Sequence, residues 1–163
     1  MIAPFVYALP LDRHIHALKY RGARRLGRTL ALALVEHVRA AAREVDALVP
    51  VPLHPHRFRD RGFNQAAEIA RTLGRELERC VLLARVRRSG VQVAQTGRGA
   101  AERLENVARA FAVERSLGGS RLAIIDDVLT TGATVNALAA ALLAAGAARC
   151  DVWTVARTLE RAI

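Results

Sequence analysis

The sequence predicts an α/β fold in which a parallel, twisted sheet is covered by helices. Short apolar runs bounded by turn residues occur at Ala47–Val51, Arg121–Ile125 and Asp151–Ala156, a length that suits buried strands. Around them lie stretches with helical apolar spacing, at Leu26–Val38, Asn64–Leu77 and Thr134–Ala145. Strands alternating with helices over short links are the pattern of a parallel sheet whose crossovers are helical.

Each element has its own signal. A short helical pattern at Ile15, Leu18 and Lys19 comes first, followed by Gly22 and the Arg24-Arg25 pair. Leu26, Leu30, Leu34 and Val38 then form an i, i+4 stripe, which offers one face to the core or to a second copy in a homodimer. The run Ala47–Val51 is closed by Pro50 and Pro52, which end a strand. Pro52 and Pro55 bar a helix at the start of LHPHRFRDRGFNQ. Asn64 is placed to cap a helix carrying Ala66, Ala67, Ile69, Ala70, Leu73 and Leu77 on its apolar face. Residues 85–105 are polar and rich in Arg and Gly, with brief alternation at Val91 and Val93, and read as a long, mobile hairpin-like excursion. The second strand ends in Asp126-Asp127, and the helix after it is stopped by Gly146. The expected organisation is one domain over 1–163, with residues 1–46 as a helical segment packed on it.

Composition narrows the class. The chain has 163 residues, 52% of them hydrophobic, which excludes disorder. No run approaches the roughly 20 apolar residues that span a bilayer. The apolar opening MIAPFVYALPL has no basic leader and contains two prolines, so it is a poor signal peptide. Two cysteines, Cys80 and Cys150, cannot build a disulfide framework or a four-thiolate zinc site, and are expected as small buried groups. A cytoplasmic protein with no membrane contact is the expectation. The net charge is +10, and Lys19 is the only lysine beside 24 arginines. Such a balance attracts phosphates, although a general bias toward arginine also produces it.

The chemistry concentrates after the second strand. In an open parallel sheet, ligands lie outside the carboxyl ends of the strands. There the sequence reads IIDDVLTTGAT. Thr130, Thr131, Gly132, Ala133 and Thr134 would offer backbone N–H groups and hydroxyls at a helix N-terminus, a ready anion site. Gly132 permits a positive φ or a close approach to a ligand. Asp126 and Asp127, acceptors when ionised, suit the two hydroxyls of a vicinal diol. Hydroxyl recognition beside a phosphate site describes a ribose 5-phosphate. A lone Asp pair is more often a surface turn, and a lone Thr a cap. The uninterrupted order of apolar strand, two acids and Thr-Thr-Gly-x-Thr is what makes the signal specific.

The stretch LAIIDDVLTTGAT, residues 122–134, resembles the phosphoribosyl-pyrophosphate binding motif of type I phosphoribosyltransferases. The rest resembles their ComF branch, associated with bacterial DNA uptake. Its matching segments are YALPLDRHIHALKYRG (7–22), VPVPLHPHRFRDRGFNQA (49–66), QTGRGAAERLENVARAF (95–111) and TVART (154–158). The cysteine-rich N-terminal zinc ribbon common in that family has no counterpart in this sequence.

The resemblance implies that Asp126 and Asp127 hold the ribose hydroxyls, that Thr130–Thr134 cradle the 5-phosphate, and that Pro52–Arg61 forms the pyrophosphate loop. It implies that 85–105 is the flexible hood loop closing over substrate, with Arg85, Gln95, Arg103 and Asn106 at matching family positions. Mg²⁺ would bridge pyrophosphate and ribose oxygens while keeping waters, with no direct protein ligand. Arg57, Arg59 and Arg61 are donors suited to phosphate oxygens, with Arg57 and Arg61 the principal candidates. His54-x-His56 lacks a third ligand and is a weak metal signal.

Two functions follow as expectations. The first is an enzyme that takes phosphoribosyl pyrophosphate with Mg²⁺ and transfers the phosphoribosyl group to an acceptor. The second is a non-catalytic accessory of the competence machinery, using the fold for nucleotide or single-stranded DNA binding. Sparse aromatics, 4% of residues, count against a base-stacking platform.

Overall fold

The computed structural model describes residues 1–20, 22–83, 86–88 and 110–159. Its main sheet has five parallel strands in the order β1-β7-β6-β2-β3. These are β1 (Phe5–Val6), β2 (Ala47–Pro50), β3 (Cys80–Val81), β6 (Arg121–Leu129) and β7 (Arg149–Arg157). A second, antiparallel pair joins β4 (Val86–Arg88) to β5 (Phe111–Val113), with Val86 opposite Val113 and Arg88 opposite Phe111. These are the two arms at the base of the 85–105 excursion, whose body lies outside the described residues.

Five helices are described: α1 (Leu11–Tyr20), α2 (Arg24–Ala42), α3 (Pro55–Arg61), α4 (Gln65–Leu77) and α5 (Ala133–Ala144). None is long and apolar enough to cross a membrane. Strand alternation sends successive side chains to opposite faces, and the helices divide accordingly. Leu48, Ala123, Ile125, Trp153 and Val155 pack against α1, α2 and α4. Val49, Leu122 and Ile124 face α5 together with Phe111 and Leu117. The sheet is therefore buried on both sides, as its nearly continuous apolar runs require.

The apolar stripe of α2 turns inward, with Leu30, Leu34 and Val38 buried. In α4 all six periodic residues are buried, and the Asn64 side chain accepts from the N–H groups of Ala66 and Ala67. Gly146, with φ +94°, stands just past α5 as expected.

Three local expectations are corrected. The proline-rich loop turns helical sooner than its composition implies, because Pro55 sits at the first position of α3, where its missing N–H costs nothing. The strand carrying the acids does not end there: β6 continues to Leu129 because Val128 and Leu129 pair with Ala156 and Arg157 of β7. Cys80 is exposed, since β3 is a two-residue strand at the sheet edge. The opening apolar segment has a role the sequence left unassigned. Ile2 bridges to Trp153 and β1 pairs with the end of β7, closing that edge.

Candidate active site

The site lies where the sheet changes direction of growth. From β2 the chain adds β3 on one side, whereas β6 and β7 lie on the other, and such a switch opens a crevice at the carboxyl ends. β2 pairs with β6 only as far as Pro50 opposite Ile125, after which Val51 N–H makes a last bond to the Ile125 carbonyl. The prolines then carry the chain away, so Asp126 and Asp127 are the first β6 residues with no strand on that side.

The pleat gives the two acids different neighbours. Asp127 shares the face of Ile125 and meets the last turn of α1, where Lys19 Nζ stands 2.9 Å from its Oδ2. Its side chain is only 4% exposed, against 21% for Lys19. The ammonium offsets the charge of this buried oxygen, and among the described residues no other donor reaches it. The other oxygen accepts from Val128 N–H at 2.9 Å. Asp126 shares the face of Ile124, toward α5 and β4, and its Oδ1 accepts from Asp127 N–H at 2.9 Å. Burial, followed by the charge of Asp127, pushes the Asp126 carboxyl up to about 8, against the smaller opposing pull of Lys19. A proton on Asp126 makes it a donor as well as an acceptor.

Beyond the acids the chain forms the expected turn. Gly132 takes φ +76° and is the N-cap of α5, with no side-chain cap to the helix among the described residues. Thr131 Oγ1 accepts a long bond of 3.4 Å from Ala133 N–H. Thr130 and Thr134 line a cleft of about 260 Å³ together with both aspartates. Beyond Ala133, the first-turn N–H groups of α5 meet no side-chain cap among the described residues and are left for an incoming anion, with the helix dipole aligned toward it.

Across the cleft stand arginines from α3. Because this loop is helical, Arg57 and Arg61 fall four residues apart on one face and line the cleft, while Arg59 turns into a separate groove. Arg61 is steadied by the Gln65 amide oxygen at 3.3 Å and by the Tyr20 ring, 4.9 Å from its guanidinium carbon. Arg88 of β4 joins them. Burial and the nearby Arg57 charge hold its guanidinium below its ordinary value, while Asp126 opposes the shift. Two cations facing one another in a partly buried cleft favour an anion between them.

The structure thus brings together Asp126, Asp127, Thr130, Thr134, Arg57 and Arg61, with Thr131, Gly132 and Ala133 forming the turn behind them. Arg85, Gln95 and Arg103 lie outside the described residues. Sequence reasoning missed Lys19 and Arg88. Lys19 did carry one signal, being the sole lysine in a chain that otherwise uses arginine. His54 has a local role as the N-cap of α3, its Nδ1 accepting from His56 N–H at 3.3 Å.

Comparison with known proteins identifies the family. The phosphoribosyl transferase domain family matches residues 21–162. The DNA utilization protein YhgH of Escherichia coli is 36% identical over 158 residues, covering 94% of this chain and 70% of that protein. Competence protein F of Haemophilus influenzae is 35% identical over 159 residues, covering 93% and 69%. Competence protein ComFC of Bacillus subtilis is 33% identical over 112 residues, covering 68% of this chain and 44% of that protein. With a domain match over most of its length, and YhgH and competence protein F matched along most of theirs, the chain belongs to the phosphoribosyltransferase family, in its ComF branch.

Proposed function

We propose that the protein binds phosphoribosyl pyrophosphate with Mg²⁺ and transfers its phosphoribosyl group to an acceptor. The observation that carries this reading is the single cleft lined by Asp126, Asp127, Thr130 and Thr134 on one wall and Arg57, Arg61 and Arg88 on the other. The aspartates would take the ribose hydroxyls. The Thr130–Thr134 turn and the first N–H groups of α5 would hold the 5-phosphate, and the arginines the pyrophosphate. The donor set fits Mg²⁺ as a partner of the ligand. It offers two adjacent acidic side chains at the cleft wall, one already paired with Lys19, amid cations that would themselves bind phosphate oxygens. When bound, Mg²⁺ would neutralise charge on the departing pyrophosphate.

The step is displacement at the anomeric carbon. The bond from that carbon to pyrophosphate breaks, its electron pair leaves with the pyrophosphate, and a bond to the acceptor forms. Positive charge develops on the ribose ring, near Asp126 and Asp127, and negative charge on the leaving group, near Arg57, Arg61 and Arg88. Calorimetry with the sugar diphosphate and Mg²⁺ tests the reading. Saturable binding that Asp126→Ala and Asp127→Ala each weaken strongly is the expected result, and heats unchanged by both substitutions would sink it.

The names of the relatives, which speak of DNA utilization and competence, support a second reading in which the protein serves DNA uptake. The +10 charge favours contact with single-stranded DNA in that setting. Retention of a labelled single strand should fall steeply with salt if phosphates drive it. Absence of retention at low salt removes this reading and leaves the first untouched.

A further inference from the structure

We infer that the last turn of α1 positions the site: Lys19 and Tyr20, neighbours in sequence, hold Asp127 on one wall of the cleft and Arg61 on the other. The inference rests on the reading of the cleft as a ribose-phosphate site, and goes beyond it by giving roles to two residues that need not touch the reacting atoms.

The geometry is specific. Asp127 comes from β6 and Arg61 from α3, and the crevice separates these elements. Lys19 Nζ stands 2.9 Å from Asp127 Oδ2, deep enough that the carboxylate is almost wholly buried. One residue on, the Tyr20 ring lies beneath the Arg61 guanidinium at 4.9 Å, and its other neighbour is the His16 ring at 4.6 Å, one turn back in α1. Between these contacts is a cavity of about 290 Å³ lined by Lys19, Tyr20, Arg57, Asp60 and Arg61. The helix is itself anchored, because Ile15 and Leu18 are fully buried against α2 and the sheet. A rigid base therefore carries both contacts.

The chemistry explains why an amine is useful here. Burying an ionised carboxylate is costly unless a cation pairs with it. The ammonium pairs with Asp127 at its buried Oδ2 and holds it in place, and the Asp127 N–H in turn donates to Asp126 Oδ1, so both acids are fixed on the cleft wall. The Tyr20 ring limits the swing of Arg61 without using any of its N–H donors, so the fork remains available for phosphate oxygens. Lys19 and Tyr20 are positioning residues in this scheme.

The test measures binding of the sugar diphosphate with Mg²⁺ by calorimetry for wild type, Lys19→Met, Lys19→Arg, Tyr20→Phe and Tyr20→Ala, with thermal melts of each. Lys19→Met should weaken binding about tenfold or more, the loss expected when a charged hydrogen-bonding group is no longer held in place. Lys19→Arg should restore most of it, because it replaces the charge. Tyr20→Phe should bind like wild type, since the ring is kept, while Tyr20→Ala should lose about two- to fivefold. If Lys19→Met binds like wild type, or more tightly, the inference is overturned. It is also overturned if Lys19→Met and Lys19→Arg lose binding equally in step with a lowered melting temperature, which would mark a purely structural pair. If the wild type itself does not bind, the ribose-phosphate reading fails, and this inference falls with it.

Discussion

Asn64 bonds in two directions at once: its Nδ2 donates to the Val51 carbonyl at 2.9 Å, and its Oδ1 accepts from Ala66 N–H at 3.0 Å. One amide thus ties the exit of β2 to the start of α4 and fixes both ends of the loop that carries Arg57 and Arg61. Asn64→Ala should destabilise the protein by about 1–3 kcal/mol, from a lost cap and an abandoned carbonyl. Asn64→Ser should recover roughly the cap's share, about 1 kcal/mol, without the bond to Val51. Chemical denaturation separates the two contributions, and equal stability of the two variants would contradict this.

Gly132 has a backbone constraint and little crowding. A Cβ built there would meet Asn136 Nδ2 at 3.6 Å and Leu129 Cδ1 at 4.0 Å, both ordinary contacts. The cost of Gly132→Ala therefore comes from φ +76°, and amounts to about 1–2 kcal/mol. Gly132→Asn should cost less, because Asn visits the left-handed region more readily. Urea midpoints of the two variants provide the comparison.

Gly74 presents the opposite case. A Cβ there would stand 2.5 Å from Val81 Cγ2 and 2.8 Å from the Arg79 carbonyl oxygen, and backbone cannot move aside cheaply. Alanine ordinarily strengthens a helix interior by up to about 1 kcal/mol over glycine. At this site Gly74→Ala should instead destabilise, by about 1–3 kcal/mol, as overpacking does. A raised melting temperature would refute the prediction.

The raised Asp126 carboxyl sets a pH dependence. The native protein holds this proton up to about 8, whereas an unperturbed aspartate releases it near 3.8. Between those values the native state binds more protons than the unfolded chain, so this group's contribution to stability falls as pH rises. Asp126→Asn should flatten the slope over that window, most visibly between pH 5 and 8 (approximate settings for the titration). Denaturation of both proteins across the series checks it, and parallel slopes would contradict the assignment.

The sequence was most readable where the signal is local and periodic. Ile69, Ala70 and Leu73 announce the buried face of α4, and Leu122–Ile125 announce a strand buried on both faces, because one short stretch contains all the information. The acids and the Thr-Thr-Gly turn were legible for the same reason. Contacts between distant residues left no such trace. Lys19 and Asp127 are 108 positions apart, and nothing in the spacing of α1 says that its last turn faces β6. The two-residue strands β1 and β3 are too short for alternation to register. Arg59 shows a different limit: the choice of Arg57 and Arg61 over it had no geometric reason in the sequence, and the helical turn of α3, which sends Arg59 into a separate groove, supplies one.

The strand order also fixes a sequence of events during synthesis. β1 pairs with Ala156 and Arg157 of β7, so this strand has no sheet partner among the described residues until β7 has emerged. Likewise β2 waits for β6, some 70 residues later, to supply its neighbour in the sheet centre. Such distant pairings delay closure, since the chain must lose loop entropy before the contacts form. On a ribosome adding about 5–20 residues per second, the helices α1, α2 and α4 are available well before the sheet that will hold them. Until β6 and β7 arrive, their apolar faces have only one another and the β2–β3 pair to cover them, and that interval is when a nascent chain of this fold is most exposed to capture by chaperones or by its own copies.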